Sequence, residues 1–228
     1  MGTKKSTAEL VRRWLFLVGS LFIMALGVAC SIQANLGTSP ISSLPYVLSR
    51  FTPLTVGTAT IAMNTALVLL QIAILRRRFD PVQLLQIPVA FAFGYLTDFA
   101  VWLVGFLQPA AYWQQWALCL VGIALVGVGV GCEVTAGVAT MAGEGVVLAV
   151  CQVTPVKFGA GKVGFDVSLV AASCVLSLLF LGRITGVREG TVAAALLVGQ
   201  VARRMRRVLE PVDRLLAGER PGEAAGRP

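Results

Sequence analysis

Residues 27–40 read GVACSIQANLGTSP, and residues 129–142 read GVGCEVTAGVATMA. A shift of 102 positions, without a gap, lays Gly27 on Gly129, Val28 on Val130, Cys30 on Cys132, Ala34 on Ala136 and Thr38 on Thr140. The same register continues through Thr52-Pro53 on Thr154-Pro155, Gly57 on Gly159 and Leu67-Val68 on Leu169-Val170. A composition rich in Ala, Leu, Val and Gly inflates such identities, but the paired cysteines and Thr-Pro steps are harder to obtain by chance. The chain reads as a duplicated apolar unit, the layout from which many membrane transporters are built, with the pathway at the seam between copies.

Around this repeat the composition sets the class. Hydrophobic residues make up 57%, charged residues only 13%, and the mean hydropathy is +0.82, which does not suit a soluble surface. Six apolar windows run at about 14–33, 55–75, 81–105, 113–133, 159–181 and 189–202, most of them long enough to cross a hydrocarbon core about 30 Å thick. Two further apolar stretches, Thr38 to Ser49 and Thr140 to Cys151, have about 12 residues each and reach only about 18 Å as helix. They are expected to dip into the membrane or lie along it.

Basic residues orient the spans. Lys4, Lys5, Arg12 and Arg13 precede the first, Arg76 to Arg78 follow the second, and Arg203, Arg204, Arg206 and Arg207 follow the last. Six crossings put all three clusters on the cytoplasmic side, whereas full crossing by the short stretches would put Arg76 to Arg78 outside. The uncharged loop Gln108 to Gln115 agrees with this; Arg183 and Arg188, also placed outside, do not. Three spans per copy is an odd number, so the second copy enters the membrane from the opposite face. The predicted fold class is an all-α membrane protein with six transmembrane helices plus two short re-entrant or interfacial helices, as two inverted three-helix repeats. Along the chain this divides into a basic cytoplasmic segment (1–12), a first repeat (13–105), a second repeat (106–207) and a disordered cytoplasmic tail (208–228).

The net charge of +8 lies chiefly in the clusters and tails, where it meets anionic lipid rather than nucleic acid. Five cysteines in apolar surroundings, with no CxxC spacing and no histidine, read as packing residues. Without histidine a catalytic zinc or haem site, a Ser-His-Asp triad and a His proton relay are not expected. With no Walker A loop or dinucleotide fingerprint, no cofactor and no metal are expected, and no enzyme activity.

The candidate site residues flank the breaks. In Asn35-Leu36-Gly37-Thr38-Ser39-Pro40 a turn former, a glycine, an N-cap and a proline interrupt an apolar run and start a new helix. Gly137 to Thr140 does the same before the second short helix. Free N–H groups at such breaks suit a polar or anionic ligand at Asn35, Gly37, Thr38, Ser39, Gly137 and Thr140. An ordinary interhelical turn with satisfied caps fits them equally well. Ionisable groups in apolar stretches are Asp98, Glu133, Glu144, Lys162 and Asp166. Lys162 and Asp166 share one helix face, Glu144 is placed to complete a triad, and Asn64 occupies the position equivalent to Asp166. A structural ion pair and a substrate or proton site both remain open for this group, and Asp98 reads as an interface residue.

The motifs Ala34 to Pro40, Gly57-Thr58, Ala142-Gly143-Glu144-Gly145, Lys162-x-x-x-Asp166, and Arg188-Glu189-Gly190-Thr191 followed by Leu197-Val198-Gly199 resemble the YitT/YczE group of bacterial integral membrane proteins. The resemblance runs from Arg13 to Arg203. It departs at Gly94-Tyr95-Leu96-Thr97-Asp98, where Pro88 precedes in place of an expected glycine. It implies a multi-pass protein of the bacterial inner membrane and supplies no substrate. The function expected is a transporter or channel for a small polar or anionic solute. The alternatives are a substrate-capturing subunit of a larger transport complex and a membrane accessory or scaffold protein. The partners expected are the lipid bilayer, a small-molecule solute, and either a second copy or an accessory subunit.

Overall fold

The structure is a computed structural model that describes residues 7–217; Lys4, Lys5 and the end of the expected tail lie outside the described residues. Nine α-helices follow one another among those residues: α1 (Thr7–Ala34), α2 (Pro40–Phe51), α3 (Val56–Leu75), α4 (Gln86–Leu103), α5 (Tyr112–Ala136), α6 (Ala142–Val153), α7 (Phe158–Leu181), α8 (Glu189–Val208) and α9 (Glu210–Ala217). Two 3₁₀ turns, Arg76–Arg78 and Pro81–Leu85, join α3 to α4. The boundaries follow local chemistry. Asn35 (φ 53°) ends α1 in the left-handed region, Pro40 opens α2 at its first turn, and Gly137 and Gly182 close α5 and α7 with positive φ. The side chain of Gln114 reaches back to accept from the backbone N–H groups of Ala110 and Ala111, which caps α5.

Five segments are long and apolar enough to cross a membrane: α1, Val56–Arg78, Pro81–Leu103, α5 and α7. The expected sixth span differs. α8 has 20 residues, but Arg203, Arg204, Arg206 and Arg207 fill its last turns. Its apolar part is therefore shorter than the hydrocarbon thickness. The two short stretches form helices of 12 residues each, as their length suggests. The tail is ordered at its start: α9 lies against α1 and α5, where Asp213 accepts from Arg13 at 2.9 Å and Leu216 is buried. Its apolar and charged residues fall on separate faces, a pattern that a reading by composition passes over.

α1 and α5 cross antiparallel at the centre, and glycine sets their separation. A Cβ on Gly27 would meet the backbone of Val126 and Gly122, and a Cβ on Gly129 would meet Met24. Gly127 and Gly131, one turn apart on another face of α5, receive Val201 and Met205 of α8 in the same manner. Small residues at these seams let backbones approach where no water drives association. α2 packs on α7, α6 packs on α3, and α4 packs on both α1 and α3.

Arg13, 7% exposed, ties one end of the molecule together. Its guanidinium donates to Glu9, Asp213 and the carbonyls of Thr135 and Ala136, which are among the last, otherwise unpaired acceptors of α5. The exposed side chains of Leu69, Trp102, Phe106, Trp113, Val163 and Leu179 give the molecule an apolar outer surface suited to lipid.

Candidate functional site

A cavity of about 230 Å³ occupies the middle of the bundle, and each of the helices α1 to α8 contributes to its lining. Most of the wall is apolar: Met24, Val28, Met63, Phe93, Val126 and Val130. Set into it are Asn64 on α3, Glu133 on α5, Glu144 on α6, and Lys162 and Asp166 on α7. The predicted pairing on α7 is present, with Lys162 Nζ 2.6 Å from Asp166 Oδ1. Glu144 lies within electrostatic reach of Lys162, Asp166 and Glu133 but forms no ion pair of its own among the described residues.

Of the residues predicted at the breaks, Ser39 reaches the cavity, where its hydroxyl donates to Ser42 at 3.1 Å. The rest of the first break is held by the α7–α8 loop. Thr38 N donates to the carbonyl of Gly186, Arg188 Nη1 to that of Asn35 at 2.9 Å, and Gly190 N to that of Leu36. Gly37 adopts φ +95°, and a Cβ there would strike Thr191 and the backbone of Arg188. These backbone groups are satisfied by protein, so this break behaves as a capped turn. Thr38 is buried with its hydroxyl oxygen unpartnered.

The second break lies elsewhere. Gly137 and Thr140 are exposed and line a separate groove of about 300 Å³ together with Asp80, Gln83, Gln86 and Glu133. Glu133 borders both spaces. It is 3% exposed, and its Oε1 accepts from the backbone N–H of Met141 at 2.9 Å, the residue that opens α6. A carboxylate there complements the positive end of the helix.

The sequence profile of a family of unknown function, DUF6198, matches residues 11–207. The chain belongs to this family. A curated relative, the uncharacterized membrane protein YczE of Bacillus subtilis (strain 168), is 29% identical over 200 residues, which cover 86% of each chain. That relative bears out the resemblance carried by the break and Lys-Asp motifs, and with the apolar helices it makes this DUF6198 member a membrane protein in contact with the bilayer. No solved structure matches it.

Within this DUF6198 chain, sequence reasoning noted Glu133 as a charge in an apolar stretch but did not place it in the site. The signal that could have found it is its spacing, eight residues before Met141, which lets a helix-end carboxylate return to cap the next helix. Asp98 is not merely interfacial. Its carboxylate accepts from Gly57 N at 2.7 Å and Thr55 Oγ1 at 2.6 Å, and so caps α3. Ser42, Thr60 and Met141 also line the cavity, and nothing in their spacing marked them.

Proposed function

We propose that this protein is a transporter of a small polar solute in the bacterial inner membrane, built as two inverted repeats around the central cavity. The observation that carries the reading is the cavity itself: a mostly apolar space fed by every helix from α1 to α8, with four ionisable side chains and a buried amide in its wall. Ionisable groups inside a membrane bundle are costly and mark solute or ion routes. Three carboxyls against one ammonium favour a polar or cationic solute over an anionic one. No catalytic step belongs to this reading.

Support for the inverted repeat comes from contacts that exchange under the 102-residue shift. Gly27 meets Val126 as Gly129 meets Met24, and the shift turns one pair into the other. Ser43 bonds Ser173 at 2.9 Å, while the counterpart pair, Gly145 and Gln71, also touches. Ile41 and Gly143, which are themselves counterparts, meet each other, as residues beside a two-fold axis do. In this reading α8 serves as the sixth span, its short apolar part offset by flanking arginines that snorkel to the interface, and the termini with Arg76 to Arg78 face the cytoplasm. The support is geometric: Asp80, two residues beyond the exposed Arg76 to Arg78, lines the groove at the C-terminal end of α5, where Arg13 also lies.

The test is uptake by proteoliposomes holding the purified chain. Ala195→Trp, which puts bulk on an exposed cavity-lining position of α8, should abolish uptake while the protein still inserts. Unchanged uptake would place the route elsewhere. In a cysteine-free background, Arg77→Cys should resist a membrane-impermeant thiol reagent from outside and Gln114→Cys should react; labelling of Arg77→Cys would reject the six-span topology. A second reading, a substrate-capturing subunit, is favoured by α7, whose apolar window is only 17% buried against 56% for α1. Stoichiometric co-purification of an ATPase would select it.

A further inference from the structure

We infer that the central cavity binds a small primary amine in its protonated form, with the amide oxygen of Asn64 and the carboxylates of Glu144 and Glu133 as its acceptors. The inference rests on the transport reading and names its substrate class.

Asn64 supplies the first argument. It is 1% exposed and lines the cavity, and its Nδ2 donates to the carbonyl of Thr60 at 2.8 Å. A carbonyl can only accept, so this bond settles which end of the amide is nitrogen. The other end, Oδ1, is buried without a partner. A buried acceptor left unmatched is costly, and a donor brought by a ligand removes that cost.

The surrounding groups point the same way. Lys162 is engaged with Asp166, while neither Glu133 nor Glu144 has a cation paired to it among the described residues. Two of the lining hydroxyls already donate elsewhere, Ser39 to Ser42 and Thr60 to the carbonyl of Val56. Pro45, also in the wall, has no N–H to offer the carbonyl of Ile41. Two carboxyls without a paired cation and an unmatched amide oxygen suit an ammonium, which brings three donors and a positive charge. A carboxylate solute would bring neither and would meet two unpaired carboxyls.

The repeat register adds an internal template. Lys162 and Asp166 are the counterparts of Thr60 and Asn64, so on one side of the cavity an ammonium already rests on a side-chain oxygen. On the other side Thr60 is too short to supply one, and the Asn64 oxygen is unfilled. The apolar wall suits a short hydrocarbon body. The volume falls below the roughly 300–1,000 Å³ of drug-sized sites, which limits the ligand to metabolite size.

The experiment is thermal unfolding of the purified full chain in detergent with n-butylammonium chloride, sodium butyrate or 1-butanol at matched concentration and ionic strength. Butylammonium should raise the Tm saturably, and the other two should not. Asn64→Leu and Glu144→Gln should each weaken the response about tenfold or more, because the first removes the amide acceptor and the second the negative charge that the ammonium meets. Tyr95→Phe, on the exposed face of α4, should respond like the parent. If Asn64→Leu does not fold, Glu144→Gln alone decides.

No response to butylammonium, an equal response to butyrate or butanol, or an undiminished response in the folded variants would overturn the inference. Uptake of a non-amine solute that Ala195→Trp abolishes would leave the transport reading standing and remove the amine. Amine binding without uptake of any solute would do the reverse.

Discussion

The helix pair α3/α4 and the pair α7/α8 are laid on one another by the 102-residue shift, yet they are assembled differently. In the first pair Gly57 and Gly94 bring the backbones together, since a Cβ on either would strike the other helix. Asp98 of α4 then caps the start of α3 through Gly57 N and Thr55. In the second pair Gly159, the counterpart of Gly57, has open space around it, as does Gly164. α7 and α8 meet at most glancingly beyond the turn that joins them, where Ser177 accepts from Thr185 N and donates to the carbonyl of Arg183. The cavity is walled by a locked pair on one side and a loose pair on the other. The lysine of its lining, Lys162, sits on the loose helix. Under the proposed function α7 is the long helix that moves at least cost, because its apolar window is the least buried of the five long apolar segments.

The sharpest way to break this comparison is to place the same bulk in both pairs. Gly57→Leu should drive α3 off α4 and lower stability by 3 kcal/mol or more, at or beyond the upper end of the ~1–3 kcal/mol typical of overpacking, since backbone and carboxylate both stand in the way. Thermal unfolding in detergent checks it, and a neutral result would mean the first pair is not locked. Next in size is Asp98→Ala, which removes a charged acceptor from the α3 N-terminus and should cost about 1.5–3 kcal/mol in the same measurement.

The pair on the loose helix should be weaker than a buried one. Lys162 and Asp166 keep 32% and 22% of their side-chain surface exposed, so the coupling in a cycle of Lys162→Met, Asp166→Leu and the double variant should be about 1 kcal/mol. A fully buried pair broken by one substitution would cost about 3–5 kcal/mol, and a coupling of that size would show α7 to be tightly enclosed. Smallest of all is Gly159→Leu, which should stay within about 0.5 kcal/mol of the parent because nothing stands within 4 Å of the added Cβ. A penalty comparable with Gly57→Leu would erase the difference between the pairs.

One consequence touches the breaks. Bulk at Gly37 does not probe a pathway, because the position needs positive φ and is closed by Arg188 and Thr191. A leucine there unseats the α7–α8 loop. Exposed cavity-lining positions such as Ala195 test the route without that confusion.

What the sequence determined by itself is what lies along the chain. Hydropathy marked the long helices, Asn35, Gly37, Pro40 and Gly137 marked their interruptions, and a spacing of four put Lys162 over Asp166. These are local effects: backbone sterics, the missing N–H of proline, and side chains one helical turn apart. The internal register also came from sequence, since identity survives without any contact being known. The tertiary structure alone decided which helix faces meet. It put Glu133 between the cavity and the groove, turned the first break onto Gly186 and Arg188 rather than onto a ligand, left the Asn64 oxygen unfilled, and separated α7 from α8. It also ordered α9, because Asp213 finds Arg13 about 200 residues away. In a chain this uniformly apolar every helix offers several plausible faces. The choice among them rests on glycine-sized gaps and on which polar groups find partners across the bundle, and neither is written within a single helix.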